Sequence, residues 1–247
     1  MGSTSQDSNW LRRLFAADAP CVAVPFDDEA TEAGITAATA AGMDVAEVRI
    51  DLFASHEIGH VVDVVRRFGA VPTIATIRSD SEGGAWDRGD AQRLSLYQAV
   101  SPEVDAVDIE ASSTAIGAEV VDAAHAQGRQ VIMSFHDFDA TPDGADLTST
   151  IADAAARGAD VVKIATMVHG IDDLRTLAHV LTADHHIDLI VIGMGSAGAP
   201  SRVVFPLLGS KLTFADAGRS TAPGQLPLAE MSETLSRLSP AYAARRR

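Results

Sequence analysis

The strongest constraint on the fold of this chain is an alternation repeated along its length: a short β-rich run, then an Ala-rich stretch with helical spacing, eight times over. Strands separated by helices of this length form a parallel sheet, because a parallel neighbour needs a crossover connection. The expected strands cover residues 21–25, 45–51, 71–78, 106–110, 130–136, 161–165, 189–193 and 212–215. Helical stretches between them include 31–41, 92–100, 118–127, 147–157, 172–182 and 228–238. Gly42, Gly69, Gly128 and Gly158 fall where a helix C-cap is expected. With a right-handed crossover at each step, the units close most economically into a single α/β domain, a (β/α)8 TIM barrel. The pattern alone also admits an open doubly wound sheet. The barrel is expected over residues 19–247, after a flexible polar tail at 1–18.

Acidic residues outnumber basic ones by 34 to 19, a formal charge of -15 that argues against nucleic acid or an anionic membrane as partner. No apolar run reaches the roughly 18 residues that span a bilayer. Cys21 is the single cysteine, so no internal disulfide forms, and a cytoplasmic location is expected. Among the basic residues only Lys163 and Lys211 are lysines. A lysine retained in so arginine-rich a chain is a candidate for chemistry.

Several expected strands carry charges at period two: Glu47, Arg49 and Asp51; Thr76 and Arg78; Asp108 and Glu110; Ser134 and His136. Residues two apart share a strand face, and the apolar positions between them suit the helix-facing side. The polar sets therefore point into the barrel, near the strand C-termini where barrel enzymes build their sites. Buried unpaired charges are costly, so these groups are expected to neutralise one another around a site; a purely structural ion-pair layer is the alternative. Lys163 stands between Val162 and Ile164. Apolar surroundings would favour its neutral amine, the nucleophile that attacks carbonyl carbon in imine formation, and pairing with Asp108 or Glu110 is the competing reading.

These segments resemble the type I 3-dehydroquinate dehydratases over residues 25–238. The resemblance is carried, in order, by Glu47-Val-Arg49-Ile-Asp51, Thr76-Ile-Arg78 with Glu82-Gly-Gly, Asp108-Ile-Glu110, Ser134-Phe-His136-Asp-Phe with Thr141-Pro142, and Ala159-Asp-Val-Val-Lys163-Ile-Ala-Thr-Met167. It continues through Met194 to Arg202, Gly209-Ser210, Thr213-Phe214 and Ala222-Pro-Gly-Gln225. It implies a TIM-barrel lyase that eliminates water from 3-dehydroquinate through a Schiff base on Lys163, a step shared by shikimate biosynthesis and quinate breakdown. By the same resemblance His136 transfers protons, and Glu82 orients its ring and favours its charged form. Arg202, expected in an irregular Gly-rich loop, holds the substrate carboxylate with Gln225 and Thr221, and Glu47, Arg49 and Arg78 engage the ring hydroxyls; Met167 and Met194 shape the wall. The family generally has serine where this chain has Thr221. No metal or cofactor is implied, and the assembly implied is a homodimer.

Two further motifs compete. His56-Glu57-Ile-Gly-His60 matches the zinc-protease pattern HExxH, but it follows the second strand on what should be an outer helix containing Gly59. Gly193-Met-Gly195-Ser-Ala-Gly198 reads as a dinucleotide fingerprint, with Asp216 downstream, yet only one strand is expected after it. The family resemblance reads that stretch instead as a mobile loop covering the substrate. A lysine-dependent aldolase shares barrel and imine; the His136 segment and the Pro223-Gly224-Gln225 loop favour dehydration. A non-catalytic small-molecule sensor would have no need of both Lys163 and His136.

Overall fold

A computed structural model describes residues 19–218 and 224–246. The chain runs β1 (Val22–Phe26), α1 (Glu32–Ala41), β2 (Val45–Arg49), α2 (Ile58–Arg66), β3 (Thr73–Thr76), α3 (Asp90–Val100), β4 (Ala106–Glu110), α4 (Gly117–Ala126), β5 (Gln130–Asp137) and α5 (Gly144–Ala156). It continues through β6 (Val161–Met167), α6 (Ile171–Thr182), β7 (Asp188–Met194), α7 (Gly195–Gly198), α8 (Ser201–Leu207), β8 (Thr213–Asp216), β9 (Leu226–Pro227), α9 (Leu228–Leu238) and α10 (Pro240–Arg245). Single 3-10 turns follow β2 at Ile50–Leu52 and β3 at Asp80–Glu82. The pattern of one strand per helix breaks in the last quarter, where two helices follow β7 and β9 adds a short parallel pairing to β8.

The strands pair in parallel in the order β7, β6, β5, β4, β3, β2, β1, β8, β9. Every pair from β1 to β7 joins consecutive strands, and β8 returns beside β1, so the sheet curls instead of spreading open as a doubly wound sheet would. The β7 to β8 seam is tied by the Lys211 N–H donating to the Leu189 carbonyl at 2.9 Å and the Val191 N–H donating to the Ser210 hydroxyl at 3.0 Å. Alternation along the strands sorts the apolar residues into two clusters. One fills the space between sheet and helices, with Val48, Ile50, Ile109, Val162 and Ile164. The other lies inside the barrel and draws on all eight barrel strands and their lead-in residues, from Cys21 and Ala23 through Val45, Ile74, Ala106, Ile132, Val161 and Ile190 to Leu212.

Local chemistry sets the connections. The Thr31 hydroxyl caps α1 by accepting from the Gly34 N–H, and the Asp143 carboxylate caps α5 by accepting from Ala145 and Asp146. Gly42, Gly69, Gly128 and Gly158 all have positive φ, the left-handed geometry expected of them. At the N-terminal end of the barrel, Asp44 accepts from the Val22 N–H at 2.9 Å, from Arg245 at 3.0 Å and from Arg246 at 2.7 Å. Arg245 also donates to the Pro20 carbonyl, which ties the end of α10 to the lead-in of β1.

Both competing motifs resolve into local structure. Helix α2 begins only at Ile58, so His56 and Glu57 precede it. His56 bonds the Ile50 carbonyl at 2.9 Å and packs edge-on against Trp86, whereas His60 pairs with Asp28 at 3.0 Å. The stretch from Gly193 to Gly198 is not the mobile loop expected of it. It folds as the end of β7 and the short helix α7, and a Cβ on Gly198 would lie 2.4 Å from the Gly193 carbonyl carbon. The Ser201 hydroxyl fastens this corner, accepting from the Gly193 N–H at 2.8 Å and donating to the Gly198 carbonyl at 2.7 Å. These glycines serve close backbone packing.

Candidate active site

The inward phase of β2 to β6 delivers the polar sets to one place. Glu47, Arg49, Arg78, Glu82, His136 and Lys163 line a cleft of about 530 Å³, open mouth included, at the C-terminal end of the strands. Ala165, Ile192, Met194, Phe138 and Phe214 supply its apolar wall, and Arg202 and Gln225 complete it. Apolar walls with a few convergent polar groups are the usual make-up of a small-molecule site. Asp108, Glu110 and Ser134 are buried beneath, bonded to the groups that line the cleft.

Lys163 differs from expectation in its surroundings. Its chain neighbours Val162 and Ile164 belong to the cluster on the helix side of the sheet, so they do not enclose the amine. Nζ instead lies 3.2 Å from Asp108 Oδ2 and 3.6 Å from Glu47 Oε1, and 4.5 Å from the centre of the Phe214 ring. Glu47 is itself held by the Thr76 hydroxyl at 3.1 Å.

Arg78 organises the floor. Its guanidinium donates to Asp108 at 2.6 Å, to Glu110 at 2.9 Å and to the Ser134 hydroxyl at 2.6 Å, and Ser134 in turn donates to Asp108 at 2.7 Å. Burial works against the Asp108 carboxylate, but Arg78, Lys163 and the Ser134 hydroxyl outweigh it and hold its pKa well below the usual range. Arg49, by contrast, makes a fork-to-fork pair with Asp51, at 2.9 and 2.7 Å.

His136 is anchored at both ends of its residue. One oxygen of Glu82 accepts from the His136 N–H and from Nδ1, each at 3.0 Å, while the other accepts from the Ser112 hydroxyl at 2.5 Å. This partner fixes the ring with Nδ1 toward Glu82 and leaves Nε2 as the nitrogen available to the cleft. Phe138 stacks on the ring with centroids 6.4 Å apart. The expected preference for the charged ring is not met: burial, then Arg78 and Lys163, lower the His136 pKa well below its ordinary value despite the opposing pull of Asp108. That lowering favours the neutral ring.

Arg202 was expected in an irregular glycine-rich loop but lies in α8 and is 2% exposed. Its guanidinium donates to the Phe214 carbonyl at 3.5 Å, and burial pushes its pKa down to about 10, so it remains a cation at neutral pH. Gln225 lines the cleft as well, while Thr221 lies outside the described residues. Three contributors carried no assigned role in the sequence reading: Phe214, set against the lysine amine; Ser112, which steadies Glu82; and Arg93, which enters from α3 to pair with Glu110. For Phe214 the signal was its place in the last inward-facing strand; for Ser112 and Arg93, in a loop and on a helix, strand periodicity carries none.

Residues 20–240 match the family model described as Type I 3-dehydroquinase. A 3-dehydroquinate dehydratase from Klebsiella pneumoniae is 37% identical over 211 residues, covering 81% of this chain and 84% of that protein. The crystal structure of 3-dehydroquinate dehydratase from Geobacillus kaustophilus superposes with a TM-score of 0.84 at 29% identity, covering 90% of this chain and 91% of that one. That of the type I enzyme from Clostridium difficile, solved with covalently modified comenic acid, gives 0.80 at 27% identity over 92% and 93% of the two chains.

Proposed function

This chain belongs to the type I 3-dehydroquinase family, and from that premise we propose how its residues divide the work of removing water from 3-dehydroquinate. It is a hydro-lyase acting through a Schiff base, a step that serves the shikimate pathway or quinate breakdown. Lys163 is the nucleophile: its amine nitrogen adds to the ketone carbon, the carbinolamine hydroxyl leaves as water with a proton taken from solvent, and a protonated imine forms. The positive imine nitrogen draws electrons and acidifies the neighbouring carbon. His136 takes that proton, and the electron pair left behind expels the tertiary hydroxyl, which departs as water with the proton from His136. Hydrolysis of the imine releases 3-dehydroshikimate and the free amine.

Glu82 holds the imidazole in register, and its carboxylate stabilises the imidazolium that exists between the two proton transfers. Arg202 is the partner of the substrate carboxylate, since a buried planar fork lining the cleft matches that group, with Gln225 and Thr221 assisting. Glu47, Arg49 and Arg78 engage the ring hydroxyls. The observation that carries this assignment is the meeting, in one cleft, of an amine on β6 with an imidazole on neighbouring β5.

Borohydride added during turnover is the direct test. It reduces an imine to a stable amine, so the enzyme is expected to lose activity and gain the mass of one ligand at Lys163. With Lys211 the only other lysine, peptide mapping assigns the label. Lys163→Ala is expected neither to trap ligand nor to generate the ultraviolet absorbance of the conjugated enone. Label on Lys211, or turnover without Lys163, refutes the assignment.

We also propose a cytoplasmic homodimer. Cys21 offers no internal disulfide, and no helix of the described residues is long and apolar enough to cross a membrane. Exposed Val204, Leu207 and Leu208, on and just after α8, give an apolar surface that a second copy would cover. A monomer mass by light scattering would refute the dimer.

A further inference from the structure

The outer helix layer sends one charge into the floor of the cleft that the chemistry above does not use. Arg93 is carried on α3, is 2% exposed, and does not line the cleft. Its Nε donates to the Ile77 carbonyl at 2.9 Å, its Nη1 to the Ser113 hydroxyl at 2.9 Å, and its Nη2 to Glu110 Oε2. Ser113 also donates to that same Glu110 oxygen, at 2.9 Å. The other oxygen of Glu110 accepts from Arg78 at 2.9 Å and from the Ser79 N–H at 3.0 Å. Arg78 passes on to Asp108, and Asp108 to Lys163. Five buried groups thus form a chain of alternating sign: Arg93, Glu110, Arg78, Asp108, Lys163.

We propose that Arg93 is a positioning residue for Lys163: by occupying one oxygen of Glu110 it keeps Arg78 shared between Glu110 and Asp108, and so limits how strongly Asp108 holds the lysine amine. The proposal rests on Lys163 being the nucleophile. Without Arg93, Glu110 would be a buried carboxylate with Arg78 as its one cationic partner, and the guanidinium fork would turn to grip it with both arms. Asp108 would then lose its strongest donor and be neutralised mainly by Lys163. Charge counting agrees in sign. Arg93, Arg78 and Lys163 balance Glu110, Asp108 and Glu47, so deleting Arg93 leaves the cluster one negative charge in excess. Both effects stabilise the ammonium and leave less free amine to attack a ketone. Lys163 faces Asp108 from β4, Glu47 from β2, His136 from β5, Arg78 from the end of β3 and the Phe214 ring from β8; Arg49, Glu82 and Arg202 are the other charged groups of the cleft.

The test compares wild type, Arg93→Gln and Arg93→Lys for borohydride trapping rate with 3-dehydroquinate, the pH profile of kcat/KM, and melting temperature. In Arg93→Gln the acid limb is expected to move up by about one pH unit, with trapping roughly tenfold slower on that limb, because one unit of amine pKa changes the neutral fraction tenfold. Arg93→Lys keeps the charge and is expected to return the limb toward wild type even though it cannot reproduce the bonds to Ile77 and Ser113. A folded Arg93→Gln with the wild-type limb and trapping rate overturns the proposal, however far its melting temperature falls. Should that variant not fold, Ser113→Ala removes one bond from each partner in the Arg93 to Glu110 contact. A smaller shift of the same sign then supports the proposal, and an unmoved limb overturns it. Trapping of wild type away from Lys163 would instead refute the assignment of the nucleophile.

Discussion

The lower and upper halves of the barrel interior are built by the same strands in the same inward phase, yet they differ completely in chemistry. Along β2 the inward side chains run Val45, Glu47, Arg49; from β3 onward Ile74, Thr76, Arg78; along β4 Ala106, Asp108, Glu110; along β5 Ile132, Ser134, His136; and along β6 Val161, Lys163. Each series begins apolar and turns polar two residues later. On the other side of the barrel, β7 and β8 with its lead-in contribute Ile190, Ile192, Met194, Leu212 and Phe214 to the apolar interior. The lower half gains stability by burial, while the upper half spends some of it to hold charges ready in an arc that faces an oily wall. The chain's two lysines mark the contrast. Lys163 is buried among carboxylates, whereas Lys211 makes a partly exposed pair with Asp188 at 3.2 Å near the lower end.

If this division is real, changes in the upper half should alter chemistry and changes in the lower half should alter stability. The largest separation is expected from His136→Ala. Its turnover should fall by about 10² to 10⁴-fold, the usual contribution of general acid-base catalysis, while borohydride still traps the imine. Near wild-type turnover would remove His136 from the mechanism. The same residue sets a pH signature: its folded pKa lies below the ordinary 6.5, so the unfolded chain binds its proton first. The stability it contributes is full above about pH 6.5 and is lost as the pH falls toward the folded value, and His136→Ala should flatten that part of an unfolding-versus-pH curve.

Arg202→Ala ranks next. Substrate affinity is expected to weaken by about 2 to 5 kcal/mol, as when one member of a buried charged pair is truncated, and Arg202→Lys should restore little because an ammonium lacks the planar fork. Unchanged KM in either variant would sink the carboxylate assignment. Ile132→Ala probes the lower half: a loss of about 2 to 5 kcal/mol of unfolding free energy is expected, with kcat per folded molecule unaltered. A large kcat loss there would show that the two halves are not separable. Lys211→Ala should cost less than about 1 kcal/mol, since its ion pair is partly exposed, and should leave activity untouched.

Much of this was legible because strand geometry has an exact period of two, so Glu47 and Arg49, or Asp108 and Glu110, had to share a face once the strands were placed. Glycine caps were legible for a similar reason, as few residues accept the left-handed conformation found at Gly42 and Gly158. What escaped depends on distances across the fold. Arg93 reaches its partners from 16 to 20 residues away, out of the helical layer, and nothing in its local sequence distinguishes it from a surface arginine. The amine environment of Lys163 was misread because adjacent residues in a strand point to opposite faces; Val162 and Ile164 say little about what touches Nζ. Arg202 was assigned to a loop because Gly195 and Gly198 look like loop residues, whereas their missing side chains let α7 close tightly on β7.

The clasp that joins Pro20, Asp44 and Arg245 has a consequence for how this molecule can be rearranged. Residues on either side of more than two hundred intervening positions meet at the base of the barrel, at the opposite end from the cleft. A short linker between them would turn the polypeptide into a ring, and new termini could then be opened in an outer loop such as the turn around Gly128, where the backbone is exposed and no cleft residue lies. The barrel is, in that sense, a circular object whose starting point is a matter of genetic history and not of architecture.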